Sequence, residues 1–260
     1  MLAGINEFLL SVAAAVIFLI VIEVGFRLGR NHSAGVNDAV KDHIKGLQTA
    51  LLGLLALLLA FNFAMASSRF DARKALIQEE VNNIATAWQR AQLFPARQRH
   101  EISDLLKRYV SSRIDFMRAG TDVPSLDAAS ADASVIEAEI WKVTTAMVEE
   151  GTQGPHAGLF MEAINNMVNL KWTRWEAMQN HVPETFLYLL FVVAVGALGF
   201  IGYAYGLNGI RHHLSTAIFV LLITLVLGTI LDADRPRGGM IRVNEDGLLR
   251  LQAALEQGRL

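Results

Sequence analysis

Residues 58–74 read LLAFNFAMASSRFDARK. An apolar run carries one asparagine, Asn62, and passes without Gly or Pro into arginine, aspartate and lysine. Nothing in it stops a helix. Beyond Ser68 the helical period persists: Phe70, Ile77, Val81, Ile84 and Trp88 recur at spacings of seven, four, three and four, one stripe of an amphipathic helix. Pro95 is the first residue that cannot continue it, so the sequence predicts one helix over about 46–94. At 1.5 Å per residue such a helix is on the order of 70 Å long. Its first half is solvated by lipid and its second half projects as a stem.

Composition agrees with a membrane class. Of 260 residues, 53% are hydrophobic and 18% charged, and the mean hydropathy is +0.35, too apolar for an ordinary soluble domain. A formal charge of −2 gives no basic footprint, so no nucleic-acid partner is expected. The chain has no cysteine, which excludes disulfides, thiolate metal sites and cysteine nucleophiles. The N-terminus lacks the basic region of a signal peptide, and its first apolar run is expected to be retained as a membrane helix.

A spanning helix needs roughly 20 mostly apolar residues. Four segments qualify, at about 6–26, 46–68, 185–210 and 214–231. The resulting division is a first transmembrane pair (1–68), a helical extramembrane domain (69–183), a second pair (184–231) and a tail (232–260). Both termini and the middle domain fall on one side, and short loops at about 27–45 and 211–213 on the other. In the middle domain, amphipathic helices are predicted at about 96–118, 133–150 and 156–181. Gly, Pro, Ser and Asp mark loops at 119–134 and 151–158. In the tail, Asn244 is a candidate N-cap for the amphipathic LLRLQAALEQ. No strand pattern appears, so the expected fold is an all-α integral membrane protein.

Catalytic motifs are absent. HEISD (100–104) lacks the second histidine of a zinc helix, and there is no GxSxG or P-loop. No enzyme activity, cofactor or metal is expected. GALGFIGYAYG (196–206) spaces small residues for close helix packing in lipid. Asn62 is more informative, because polar residues in mid-membrane tend to face a bundle interior or a watery path. It shares one helical face with Gln48, Leu51, Leu55, Leu58, Leu59, Met65 and Arg69. Either Asn62 hydrogen-bonds a neighbouring helix, or this face lines an apolar constriction with charge at its mouth, able to gate by dewetting.

The fourth span ends ILDADRPRGGMIRV (230–243), with Pro236 as the stop and Gly238-Gly239 permitting a turn. Asp232 and Asp234 emerge on the side of Arg69 and Arg73, and carboxylate–guanidinium pairs there would clamp the exits of the second and fourth spans. The rival is a cation site on Asp232 and Asp234, although D-x-D falls short of the 6–8 oxygens that Ca²⁺ takes. Glu23 and Arg27 form an i,i+4 pair at the opposite edge.

LLAF (58–61), Arg69-Phe70, Ala72-Arg73 and Asn82 or Asn83 resemble the bestrophin pattern, in which a pore-lining second helix continues out of the membrane. A closer resemblance, carried by SRFDARKALIQEEVNNIATAW (68–88) and LDADRPRGGMIRV (231–243), is to a bacterial bestrophin-like family. It implies a homo-oligomer, a pentamer, in the lipid bilayer of the bacterial inner membrane. The second helices would surround an axial pore, with inorganic ions as partners. Chloride-selective bestrophins have aromatic-rich necks and, in animals, an acidic calcium clasp. The candidate neck here is leucine-rich and no acidic run follows the fourth span. Bestrophins hold the middle domain in the cytosol. Positive-inside counting places it in the periplasm instead, because Arg27, Arg30, Lys41 and Lys45 lie in the 27–45 loop. The opposing cluster is Arg69, Arg73, Lys74, Arg235 and Arg237. The alternative function is a non-conducting scaffold or sensor whose helical domain binds a partner.

Overall fold

The computed structural model describes residues 7–34, 36–149, 154–235 and 237–260. Among them are α1 (Glu7–His32), α2 (Asp38–Ala91), α3 (Ala96–Arg118), α4 (Val123–Glu149), α5 (Pro155–Gln179), α6 (Glu184–Asn208), α7 (His213–Asp234) and α8 (Asp246–Gln257), with no strand. Four helices are long and apolar enough to cross a membrane. The protein is a multi-pass membrane protein of all-α fold. The chain divides into a membrane unit, Met1–Arg69 with His181–Arg235, and a helical unit, Phe70–Asn180 with Pro236–Leu260.

In the membrane unit α1 packs along α6, and α7 lies against α1. Glycines set the α1–α6 distance. A β-carbon on Gly25 would overlap the Gly199 carbonyl oxygen, and one on Gly29 would overlap that of Tyr203. From the other helix, Gly202 abuts the Ile22 carbonyl and Gly206 that of Phe26. Lipid tails are as apolar as leucine, so helices in a bilayer gain from backbone approach rather than from hiding apolar surface. Gly199, Gly202 and Gly206, within the small-residue run 196–206, serve that purpose. At one edge Arg27 donates to Glu23 at 2.8 Å, and Arg211 reaches the same carboxylate at 3.2 Å.

The helical unit has a broad side-chain core. Ile84 and Trp88 of the stem meet Leu106 and Tyr109 of α3, Ile136 and Ile140 of α4, and Phe160 and Ile164 of α5. Leu248, Leu251 and Leu255 of α8 complete it, and α8 packs on α3.

Several boundaries differ from the sequence expectation. The second helix begins at Asp38, where the Asn37 side-chain oxygen accepts the Val40 N–H at 3.0 Å. The first runs on to His32, so the basic 27–45 loop shrinks to 33–37. The stem ends at Ala91, in a turn closed by hydrogen bonds over residues 88–94 ahead of Pro95. α4 starts ten residues before the expected 133, at Val123. Asp122 caps it by accepting the Ser125 N–H at 3.1 Å, Pro124 occupies its first turn, and the alanines of 128–133 sustain it. Asn244 does not cap α8; its amide donates to Asp246 at 2.5 Å. Pro236 lies outside the described residues, and α7 already ends at Asp234.

Candidate functional site

The membrane half of α2 has a covered side and an open side. Leu55 (2% exposed) and Asn62 (1%) point into the protein, and Ala66 continues that stripe. Asn62 donates to the Leu58 carbonyl of its own helix at 2.8 Å. Its side-chain oxygen is buried with no hydrogen-bond partner among the described residues. Gln48, Leu51, Leu58, Leu59, Met65 and Arg69 are half-buried. Large apolar residues are exposed at Leu47 (44%), Leu54 (44%), Leu57 (55%), Phe61 (63%) and Phe63 (46%). The face drawn on the sequence therefore holds two residues that the chain itself covers, Leu55 and Asn62. Its flank adjoins an uncovered strip.

Of the four clamp residues, the two aspartates and Arg73 are buried and Arg69 is half-buried. Asp234 accepts the Val182 N–H at 2.8 Å, and His181 Nδ1 lies 3.4 Å from its other oxygen. That carboxylate fastens the entry of α6 to the end of α7. Arg73 donates from Nε to the Ala177 carbonyl at 3.2 Å and from Nη2 to the Asn180 carbonyl at 3.0 Å, holding the stem to the last turn of α5. No cluster of three potential metal ligands occurs among the described residues.

Residues 11–248 match the bestrophin-like domain. The chain belongs to the bestrophin-like family. Its fold is that of a bacterial bestrophin homologue from Klebsiella pneumoniae, solved as a single-site variant. The two align with a TM-score of 0.72 and 13% identity over 99% of this chain and 98% of that one. A second structure of a Klebsiella pneumoniae homologue, phased on zinc, gives 0.63 and 14% over 98% and 97%. A variant described simply as a membrane protein gives 0.69 and 14% over 98% of each chain. No curated protein matches the sequence.

The helical unit of this bestrophin-like chain also holds a charge cluster that the sequence reading missed. Glu80 of the stem is fully buried. Arg113 of α3 donates from Nε to one of its oxygens at 2.7 Å, and Arg174 of α5 pairs with the other. Each of the three replaces an apolar residue on its helix's inward stripe: Glu80 between Ile77 and Ile84, Arg113 between Tyr109 and Phe116, Arg174 between Leu170 and Met178. Nearby, Lys171 meets the buried Glu137 at 2.7 Å. A charge on an apolar stripe, matched by the opposite sign on another, was the available signal.

Proposed function

We propose that this bestrophin-like protein is an ion channel, assembled as a homo-oligomer, a pentamer by resemblance, around an axial pore lined by α2. The observation that carries this reading is the uncovered apolar strip on a membrane-spanning helix, in a chain of this family. Leu55 and Asn62 are turned inward, so the wall falls to the neighbouring flank: Leu51, Leu54, Leu58, Phe61 and Met65, spaced alternately by three and four. A ring of such side chains is a narrow apolar constriction, and Arg69 would stand at its mouth. The membrane is proposed to be the bacterial inner membrane.

Ion flux from liposomes containing the purified protein, with chloride, potassium and sodium gradients imposed separately, tests the reading. Phe61→Ser and Leu58→Ser are expected to raise flux severalfold, and Asn62→Ala to alter it less. A verified oligomer that passes no ion under any gradient would sink the proposal. Orientation is tested with one cysteine placed at the exposed Asp127, since the chain has none of its own. Labelling by an impermeant maleimide in intact spheroplasts is expected for a periplasmic helical unit; labelling only after lysis reverses it. The clamp of Arg69, Arg73, Asp232 and Asp234 is likewise proposed. A double-mutant cycle on Arg69→Gln and Asp232→Asn should show coupling above about 0.5 kcal/mol, and additivity would remove it.

The scaffold or sensor reading is supported by Trp172 and Trp175, two exposed aromatics on α5. Large exposed aromatics are what a protein partner would cover. A flux-silent oligomer that loses a partner on Trp172→Ala would favour it.

A further inference from the structure

Within the helical unit, the stem, α3, α5 and the chain after α7 line a partly open cavity of about 340 Å³. Its charged lining is Arg73, Arg118, Arg174, Arg237 and Arg242, with Glu245 the single acid. The guanidiniums are poorly matched. Arg118 pairs with Glu245 at 3.3 Å. Arg174 must share Glu80 with Arg113, and its Nη2 is left facing the Met117 sulfur at 3.1 Å. Arg237 Nη2 faces the Met178 sulfur at 3.1 Å, while its guanidinium lies 4.3 Å from the Phe116 ring centre. Thioether sulfur is only a weak acceptor. Arg242 bonds the Gly239 carbonyl at 2.8 Å.

Arg73 is committed to main-chain carbonyls and can be set apart. The remaining five arginines (113, 118, 174, 237 and 242) meet Glu80 and Glu245, while Glu137, whose charge also acts on Arg113, is taken up by Lys171. Three positive charges at and around the cavity are thus unmatched among the described residues. Burial, and then the repulsion of Arg113, pulls the pKa of Arg237 down to about 10. Burial, and then Arg237, does the same to Arg174, also to about 10. A guanidinium does not give up its proton under ordinary conditions, so this crowding is relieved by an anion rather than by deprotonation.

Several convergent forks in a small cavity suit a tetrahedral, multiply charged anion, because guanidinium matches phosphate oxygens bidentately. A single carboxylate would leave positive charge uncompensated. The volume lies at the small end of ligand pockets, about 300–1,000 Å³. We propose that this cavity binds a phosphate group, held by Arg174, Arg237 and Arg242. The group could belong to a free phosphate compound or to a phospholipid headgroup. Arg237 is three residues past the end of the fourth span, and Arg73 is five past Ser68, the expected end of the second.

The test uses the full chain in nanodiscs and reads calorimetric binding and thermal unfolding by tryptophan fluorescence. In neutral phosphatidylcholine discs, pyrophosphate is expected to bind saturably, one per chain, and to raise the unfolding temperature. Arg237→Gln and Arg242→Gln, at part-exposed and exposed positions, should each weaken binding tenfold or more, about 1.4 kcal/mol. Arg250→Gln, an exposed arginine on α8 outside the cavity, should leave it unchanged. Discs containing phosphatidylglycerol distinguish the sources. If they raise the unfolding temperature of the wild type but not of Arg237→Gln, and displace pyrophosphate, the group is a headgroup. If they change neither, it is a free compound. The proposal is overturned if neither phosphate source stabilises or binds the wild type, or if all three variants bind alike. None of these measurements depends on ion flux, so their failure leaves the channel reading standing.

Discussion

The membrane unit and the helical unit hold their helices together by opposite means. In the first, α1 and α6 touch backbone to backbone through Gly25, Gly29, Gly202 and Gly206, and the pairs of Glu23 with Arg27 and Arg211 and of Asp234 with His181 lie at helix ends. In the second, large side chains fill a broad core, and Glu80, Arg113 and Arg174 are buried inside it. The solvent explains the contrast. In lipid a leucine gains nothing by leaving the tails, so stability comes from contact distance. In water, apolar burial contributes roughly 25 cal/mol per Å², enough to carry the desolvation of a few charges that are well paired. One unit should therefore be intolerant of added volume, and the other of lost volume or lost charge.

The largest effect expected comes from adding volume to the seam. Gly202→Val or Gly206→Val would drive a side chain into a carbonyl of α1, and no monodisperse protein should be recovered by size-exclusion chromatography after extraction. Gly196→Val, on the same helix but facing open space, should be recovered normally. Equal recovery of all three would erase the contrast.

Next in size is Glu80→Ala, which strands two buried guanidiniums and should cost about 3–5 kcal/mol. All four tryptophans, Trp88, Trp141, Trp172 and Trp175, lie in the helical unit, so fluorescence-detected unfolding reports on that unit alone. Leu251→Ala, which opens a cavity under α8, should lower the same transition by about 2–5 kcal/mol. Its effect on α1–α6 packing should be nil. The smallest effect belongs to Arg108→Ala. Its partner Glu139 is 2.8 Å away, but both side chains are about half exposed, and such a pair contributes about 0–1 kcal/mol. A loss as large as that of Glu80→Ala would mean that burial is not what separates these pairs.

How much of this was legible in the sequence follows from the same contrast. The four spans were, because length and apolarity alone define them. So was the stem, since no breaker stands between Asn62 and Ala91. The stripe of Leu55 and Asn62 could be drawn, but not which way it faced: every flank of a helix in lipid is apolar, so pattern does not separate the covered side from the open one. In the helical unit water restores that contrast, and α3 was placed at its actual bounds. There the failures were local. The Ser and Asp of 125–134 mask an alanine-rich helix start, and Glu80, Arg113 and Arg174, taken one helix at a time, interrupt their stripes without naming a partner. Only their convergence in space shows that they belong to one another.

Neither unit is continuous along the chain: each is begun, interrupted by the other, and finished later. That has a consequence for synthesis. Gly25 and Gly29 leave the ribosome long before Gly202 and Gly206 exist, so at 5–20 residues per second α1 waits roughly 10–35 s for its partner. Meanwhile α3, α4 and α5 gather around a groove that only α8, made after α7, can fill with Leu248, Leu251 and Leu255. Both units thus stay incomplete until their late helices, α6 and α8, have been made. The nascent chain, with a bare glycine seam and an unfilled leucine groove, is the species most in need of protection.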